Sequence, residues 1–490
     1  MKVWTRVGVG ALAVIVLLVG VVTARTMAFK PAAAADTAGL KLAAAVPVDQ
    51  AKAAQHLSEA IRILTVSHQD KAENDWSQWD KLHAWLAATY PTAHQAMTRE
   101  ILPNKALVYT WKGSDPSLAP VVLMAHQDVV PVTPGTEKDW THPPFAGEIA
   151  DGAVWGRGSI DDKGSLVTIF EAAEALAASG FKPRRTVMIV SGQDEEAGGA
   201  GAKAIAALMK SRGIKAQFVL DEGMAVVSDL PGADRPIAAI GLGEKGYATL
   251  RIIARAPGGH SSAPPKETGV ETLARAVLAI TGKPFPMRFR GPGADMIRSI
   301  ARYGDLKTRV VVANTWLFEP LLMAQIGASP SSASAFHTTI APTMLKGSPK
   351  ENVLPQDATA WINYRIAPGQ TREDVMARAR EATKGLNVEL SWQGEASDPS
   401  PVSSKTSDSW KLLSALASGG GKIPVTPALV TAGTDSRHLS DVAEDVYRFA
   451  PMFASIKDFG MIHGTNEKMS LENLKRMTDF YTRLIASAAG

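Results

Sequence analysis

Five short runs in this chain put histidines and carboxylates where metal-assisted hydrolysis would need them. The first is His126-Gln-Asp128, at the end of an apolar run. A zinc-binding imidazole needs its second ring nitrogen held by an acceptor, and Asp128 stands two residues on. Alone, this pair is as readily a structural hydrogen bond. The second is Gly156-Arg-Gly-Ser-Ile-Asp161-Asp162-Lys-Gly164. Helix capping accounts for one aspartate there, but not for two in a glycine-rich loop. A carboxylate has two oxygens and can bridge two metal ions. The third, Gln193-Asp194-Glu195-Glu196-Ala-Gly-Gly199, sets three carboxylates in a row. A solvated loop would tolerate them. A nearby dication gives them another reason to cluster, with one Glu ligating and its neighbour free to take a proton from water. Leu220-Asp221-Glu222-Gly223 and Ile462-His463-Gly-Thr-Asn-Glu467 complete the set.

These residues need a scaffold that brings distant runs together. Pro120–His126, Thr186–Gly192 and Gln217–Glu222 are short apolar runs suited to strands buried on both faces. Between the first two, Leu166, Ile169, Phe170, Ala173 and Leu176 share one face of a helix predicted over Lys163–Ser179, and Gly180 supplies its stop. The alternation predicts an α/β domain with a largely parallel central sheet, in which ligand sites gather at the carboxyl ends of strands. After Gly243 the texture changes. Strands at Tyr247–Ala254, Thr338–Leu345, Ala358–Ile366 and Val388–Trp392, with helices at Thr268–Ile280 and Thr371–Thr383, outline a βαββαβ α+β module. Gly282–Pro330 interrupts it with Gly, Pro and Arg and reads as an insertion. A helix near Ser407–Ala417, a strand near Val446–Pro451 and a helix over Leu471–Ala486 restore the first texture. The expected organisation is a catalytic domain over 49–243 and 401–490, interrupted by a second domain over 244–400.

The N-terminus speaks to compartment. Lys2 and Arg6 precede an uncharged run from Val7 to Ala24. Its length fits a membrane span at the short end and a signal peptide at the long end, and Val22-Thr-Ala24 resembles a cleavage site. An uncleaved transmembrane anchor over 1–25 is the preferred reading, a removed signal the alternative. Both place the remainder outside the cytoplasm, in the periplasm or beyond the cell. Ala-rich sequence over 26–48 reads as a tether. The chain has no cysteine, so a metal must be held by His and carboxylates. A net charge of +4 with scattered Lys and Arg gives no basic stripe for nucleic acid.

The order and spacing of Leu123–Pro131, Gly156–Gly164, Gln193–Gly199, Val219–Gly223, Gly258-Gly-His-Ser-Ser262 and His463–Glu467 resemble the zinc-dependent carboxypeptidase S, aminoacylase and glutamate carboxypeptidase family of metallopeptidases. Phe145 and Trp155-Gly-Arg-Gly158 look closest to its carboxypeptidase S and N-acyl-amino-acid hydrolase branch. The resemblance covers essentially the whole chain beyond the tether. It implies two zinc ions per subunit, with His126 on one, Asp161 bridging them, and Glu196 on one and His463 on the other. Asp128 would orient His126, Glu195 would be the general base, and Glu196 a ligand. The fifth ligand falls on Asp221 or Glu222, with Asp221 taken. The inserted domain would be a lid and dimerisation domain whose His260 reaches the other subunit's site to stabilise an oxyanion. Asn352, Arg365 and Arg437 stand where the family contacts substrate. Cobalt or manganese would also suit such ligands. The implied activity is hydrolysis of an amide bond next to a free carboxylate, in a peptide or an N-acyl amino acid, by a homodimer. A dipeptidase or deacylase with the same site, or a scaffold that has lost the chemistry, are the alternatives.

Overall fold

The computed structural model describes residues 2–31 and 40–490. Its largest feature is a ten-stranded sheet. The strand order is Thr98–Ile101, Leu107–Trp111, Val187–Ser191, Val121–Met124, Ala216–Asp221, Ala443–Arg448, Ile237–Glu244, Val226–Val227 and Phe453–Ala454, with Val425–Val430 attached beside Ile237–Glu244. The four strands from Val187–Ser191 to Ala443–Arg448 run parallel. Parallel neighbours need crossovers, and the helices Lys163–Ala178 and Ala200–Ser211 supply two of them. The flanks differ from the expected pattern: Leu107–Trp111 and Thr98–Ile101 add antiparallel, as does Ile237–Glu244 against Ala443–Arg448. The sheet is therefore mixed. Thr98–Trp111 is a hairpin closed by a short loop, a connection that helix–strand alternation does not reveal.

The central strands are buried on both faces because each face meets its own core. Val121 and Leu123 join one cluster with Phe170, Leu474 and Tyr481. Val122 and Met124 point the other way, to Ile205, Met209 and Leu439. That two-sided burial is why the strands read as unbroken apolar runs.

Lys245 alone separates the central sheet from a second, four-stranded antiparallel sheet. Its order is Thr339–Lys346, Asp357–Ile366, Gly246–Arg255 and Val388–Trp392. Helices Gly269–Thr281 and Arg372–Ala382 cover one face, and this is the expected βαββαβ module. Both helices start with a capping box, Thr268 with Glu271 and Thr371 with Asp374.

The insertion is helical, which the glycines and prolines of 282–330 disguised. It forms Gly291–Ala301, Leu306–Ala313, Thr315–Gly327 and Pro330–Ser334 around Phe289, Val312, Leu322, Ile326 and Phe336. Pro292 and Pro330 sit in first turns, where a missing N–H costs nothing. Only Pro320 lies inside a helix. At the N-terminus a single helix spans Lys2–Ala28, and its stretch Val9–Ala28 is long and apolar enough to cross a membrane. Part of the segment read as a tether, 32–39, lies outside the described residues. The end of that segment is packed: Leu42, Val46 and Val48 lie against the main core, and the Ala43 backbone is bonded to Ser487 and Arg483 of the terminal helix Leu471–Ala489.

Candidate metal centre and substrate junction

His126 follows the strand Val121–Met124, Glu195 and Glu196 follow Val187–Ser191, and Glu222 follows Ala216–Asp221. Three parallel strands thus deliver their next residues to one edge of the sheet. Asp161 arrives from the glycine-rich loop before Lys163–Ala178, and His463 from a turn before the terminal helix.

Asp161 sits between the two histidines. Its Oδ1 lies 2.8 Å from His126 Nε2 and its Oδ2 lies 3.1 Å from His463 Nε2. His463 Nε2 is also 3.1 Å from Glu196 Oε2, and His126 Nε2 is 3.4 Å from Glu222 Oε1. His126, Asp161 and Glu222 therefore form one potential metal-holding group, and Asp161, Glu196 and His463 another, with Asp161 common to both. A third group joins His126 to Glu195 and Glu196.

The fifth position resolves geometrically toward Glu222. Asp221 is buried, but its Oδ2 accepts the backbone N–H of Ser436 at 2.9 Å, away from the histidines. Strand alternation explains this: neighbouring residues at a strand end face opposite sides. Asp128 is in place to orient His126, though the nearer acceptor for Nδ1 is the Asp128 carbonyl, at 2.9 Å against 3.4 Å for its carboxylate. That carboxylate accepts the backbone N–H groups of Glu195 and Glu196 at 3.0 and 3.2 Å, and so fixes the turn that carries both. The acidic run divides. Asp194 turns away to Lys71 at 2.6 Å and to the Gly201 N–H at 2.8 Å, leaving Glu195 and Glu196 at the cluster.

Electrostatics show what the cluster lacks. Burial pushes the Glu195 carboxyl well above its ordinary range, with nearby carboxylates adding to the effect and His126 opposing it. Burial and the Asp161 charge push Glu222 up to about 8. Hydrogen bonding to Asp161 and Glu196 lifts His463 to about 10. Glu196 Oε1 is buried with no hydrogen-bond partner. Too many carboxylates share too little positive charge, and protons make up the difference. A His/carboxylate donor set of this kind fits zinc, whose charge would replace those protons.

Two residues without an assigned role organise the cluster. Glu467 is fully buried and pairs with buried Arg157 at 2.7 Å. Its other oxygen accepts the N–H groups of Gly158, Ile160 and Asp161 at 3.1, 2.8 and 3.1 Å. Arg157 also donates to the Gly464 carbonyl at 2.8 Å. The His463 turn is left-handed at both His463 (φ 60°) and Asn466 (φ 61°), and these bonds tie it to the Asp161 loop. Both residues lie inside motif runs, but nothing in a linear sequence pairs them across that separation.

The remaining expected residues lie elsewhere. Arg437 belongs to the segment Thr434–His438, which also carries Ser436, the partner of Asp221, and Asp435, buried with neither oxygen partnered. Arg365 stacks over Tyr247 with 4.8 Å to the ring centre. Burial, aided by repulsion from Arg437, pushes the Arg365 guanidinium below its ordinary value. Burial and Arg365 together push Lys245 down to about 8. Three cations thus crowd the junction between the sheets. His260 is exposed on the second domain, bonded to Ser262 at 2.8 Å, and Asn352 lies beside it through its carbonyl to the Ser261 N–H. Among the described residues neither touches the cluster of its own chain.

Comparison with known proteins is consistent with this geometry. Residues 122–487 match the profile of peptidase family M20/M25/M40. A probable carboxypeptidase S-like 2 of Dictyostelium discoideum is 36% identical over 439 residues, 88% of this chain and 84% of that protein. The human N-fatty-acyl-amino acid synthase/hydrolase PM20D1 is 35% identical over 440 residues, covering 88% and 87%. Among solved structures, the M20 family metallo-carboxypeptidase Sso-CP2 from Sulfolobus solfataricus superposes with a TM-score of 0.65 at 17% identity, over 89% of this chain and 98% of that one.

Proposed function

The chain belongs to the M20/M25/M40 peptidase family, and from that premise we propose that it is a zinc-dependent hydrolase of amide bonds next to a free carboxylate. It would act as a carboxypeptidase or an N-acyl-amino-acid hydrolase. The observation that carries this reading is the position of Asp161, one oxygen toward each histidine. His126 and Glu222 would hold one ion, His463 and Glu196 the other, with Asp161 shared. When bound, zinc supplies Lewis acidity, polarising the amide carbonyl and making a nearby water easier to deprotonate.

The protein's own groups do the rest. Burial and the nearby carboxylates raise the proton affinity of Glu195, with His126 opposing them. Glu195 takes the proton of the attacking water and passes it to the leaving amine. Arg437 and Arg365, already crowded together with Lys245, bind the free carboxylate of the substrate and relieve their mutual repulsion. The partner subunit's His260 donates to the developing oxyanion, a term of about 3 kcal/mol for a well-placed donor. Support for such a homodimer comes from the second domain. Thr339–Lys346 is an edge strand with Leu345 71% exposed, a ready surface for pairing with a second copy. The N-terminal helix would anchor the enzyme, with the catalytic domain on the extracytoplasmic side.

The test is hydrolysis by the full-length enzyme in detergent, with N-acyl amino acids and dipeptides set against their C-terminal amides. Cleavage restricted to free carboxylates, abolished in Glu195→Ala, supports the proposal. Equal cleavage of acids and amides removes the carboxylate requirement.

A further inference from the structure

The helical insertion has a composition and a position that the hydrolytic site does not use. Residues 282–330 contain seven Lys and Arg against three Asp and Glu. That surplus equals the +4 of the whole chain, so the rest is balanced. Arg288, Arg290 and Lys307 are exposed. The helix Thr315–Gly327 is apolar around most of its circumference. Leu322 and Ile326 face the insertion's own core. Trp316, Leu317, Pro320, Leu321 and Ala324 form the opposite stripe, and all are exposed, Trp316 at 54% and Leu321 at 59%. A helix apolar on both faces belongs in a protein core or against lipid.

Position favours lipid. The last turns of the apolar N-terminal helix are fastened to this insertion. Arg25 Nε donates to the Ala313 carbonyl at 3.2 Å. Buried Asn314 donates to Thr26 Oγ1 at 3.1 Å and to the Val22 carbonyl at 3.3 Å. Arg309 donates to the carbonyls of Thr26 and Phe29, and Arg302 to that of Lys30 at 2.8 Å. Arg302 also lies over the Phe29 ring at 4.8 Å. These cations satisfy the open carbonyls of the helix end. Val22, Arg25 and Thr26 are the final turns of the stretch long enough to cross a bilayer. With that stretch read as a membrane anchor, whatever touches its last turns lies at the membrane boundary.

We propose that the helical insertion is a second membrane-contact element, whose Trp316–Ala324 stripe enters the acyl boundary of an anionic bilayer while its Arg and Lys side chains meet the headgroups. This is the arrangement of an interfacial amphipathic helix with a basic rim. It rests on the reading of the N-terminal helix as a membrane anchor. It adds a fixed orientation, because the helix Gly291–Ala301 packs on the strand Val425–Val430 of the central sheet. Asp295 binds Lys405 at 2.6 Å, and Lys245 donates to the carbonyls of Ser334 and His337. The catalytic domain is thereby held against the bilayer and not left to swing on a tether.

The absence of cysteine makes the test direct. Single cysteines at Val16, Trp316, Leu321 and Ile101 would carry nitroxide labels on the full-length protein in nanodiscs containing anionic lipid. Accessibility to oxygen and to a water-soluble nickel chelate reads depth. Ile101, exposed on the far edge strand of the central sheet, is the aqueous reference. The proposal predicts that Trp316→Cys and Leu321→Cys labels shift severalfold toward oxygen relative to Ile101→Cys, with Val16→Cys deeper still. Aqueous labels at 316 and 321 with a lipid-exposed Val16→Cys label overturn the insertion's role and leave the anchor standing. Labels at 316 and 321 shielded from both reagents overturn it in favour of a protein contact. An aqueous label at all four positions removes the anchor and the proposal together.

Discussion

Two parts of this molecule carry charge they do not balance, and the imbalances are opposite. Around Asp161, four carboxylates (Asp161, Glu195, Glu196 and Glu222) share two histidines, and burial drives protons onto the surplus. At the domain junction, burial depresses Arg365 and Lys245, with repulsion from Arg437 adding to the first and from Arg365 to the second. The segment Thr434–His438 joins the two regions, with Ser436 on Asp221 and Arg437 on the cationic side. A substrate with a free carboxylate next to a scissile amide fits that polarity. Its carboxylate would take the cationic end and its carbonyl the end that calls for a dication. The difference also shows how each region is built. The acidic cluster is locked by backbone N–H groups and by Glu467 and Arg157, whereas the cationic junction is shared between two sheets.

The comparison can be broken at several points. The largest expected effect is Glu195→Gln, which keeps the shape and removes the proposed base. Turnover should fall about 10²- to 10⁴-fold, while metal content measured by elemental analysis stays at the parent value. Glu467→Gln strikes the scaffold of the acidic side. It leaves buried Arg157 without its charge partner, a change worth about 3–5 kcal/mol of stability for a buried pair, readable as a lowered unfolding midpoint. Arg437→Ala strikes the other side. Loss of a charge-assisted hydrogen bond of about 1.5–3 kcal/mol should lower kcat/KM for free-carboxylate substrates roughly 10- to 150-fold. The unfolding midpoint should move little, because no Arg437 side-chain nitrogen forms an ion pair among the described residues and Nη1 donates only to the nearby Thr434 carbonyl at 3.0 Å.

The remaining effect is in pH, and it is read in metal affinity and not in turnover. Glu222 keeps a proton up to about 8 and His463 up to about 10 when the cluster has only protons to balance it. Zinc must displace them, so affinity rises with pH through this window and falls below it, by about tenfold per pH unit for each proton released. Calorimetry at pH 7 in buffers of different ionisation enthalpy should detect proton release on zinc binding. A zinc affinity flat between pH 6 and 8 would sever the link between the acidic surplus and the metal.

Much of this was legible in the sequence because strand ends are short-range features. A run of apolar residues that stops at His126, or at Gln193-Asp194-Glu195-Glu196, says both that a strand is buried and where it meets a site. The βαββαβ order was legible for the same reason. The antiparallel flanks were not, since hairpin returns leave no helix between strands. The choice between Asp221 and Glu222 depends on which face the strand end presents, and one residue of register reverses it. The Arg157–Glu467 pair is non-local and has no periodicity. In the insertion, Gly291 and Pro292 read as breaks though they start a helix, and the apolar stripe of Thr315–Gly327 was hidden by Pro320.

The central claim is that Asp161 holds two cations between His126 and His463. It is tested most directly by zinc stoichiometry of the chelator-stripped, refilled full-length protein beside Asp161→Asn and His463→Ala. The account predicts two zinc ions per parent chain, loss of the pair in Asp161→Asn, and retention of one in His463→Ala. A parent chain that fills with a single ion, or an Asp161→Asn chain that still holds two, would contradict it.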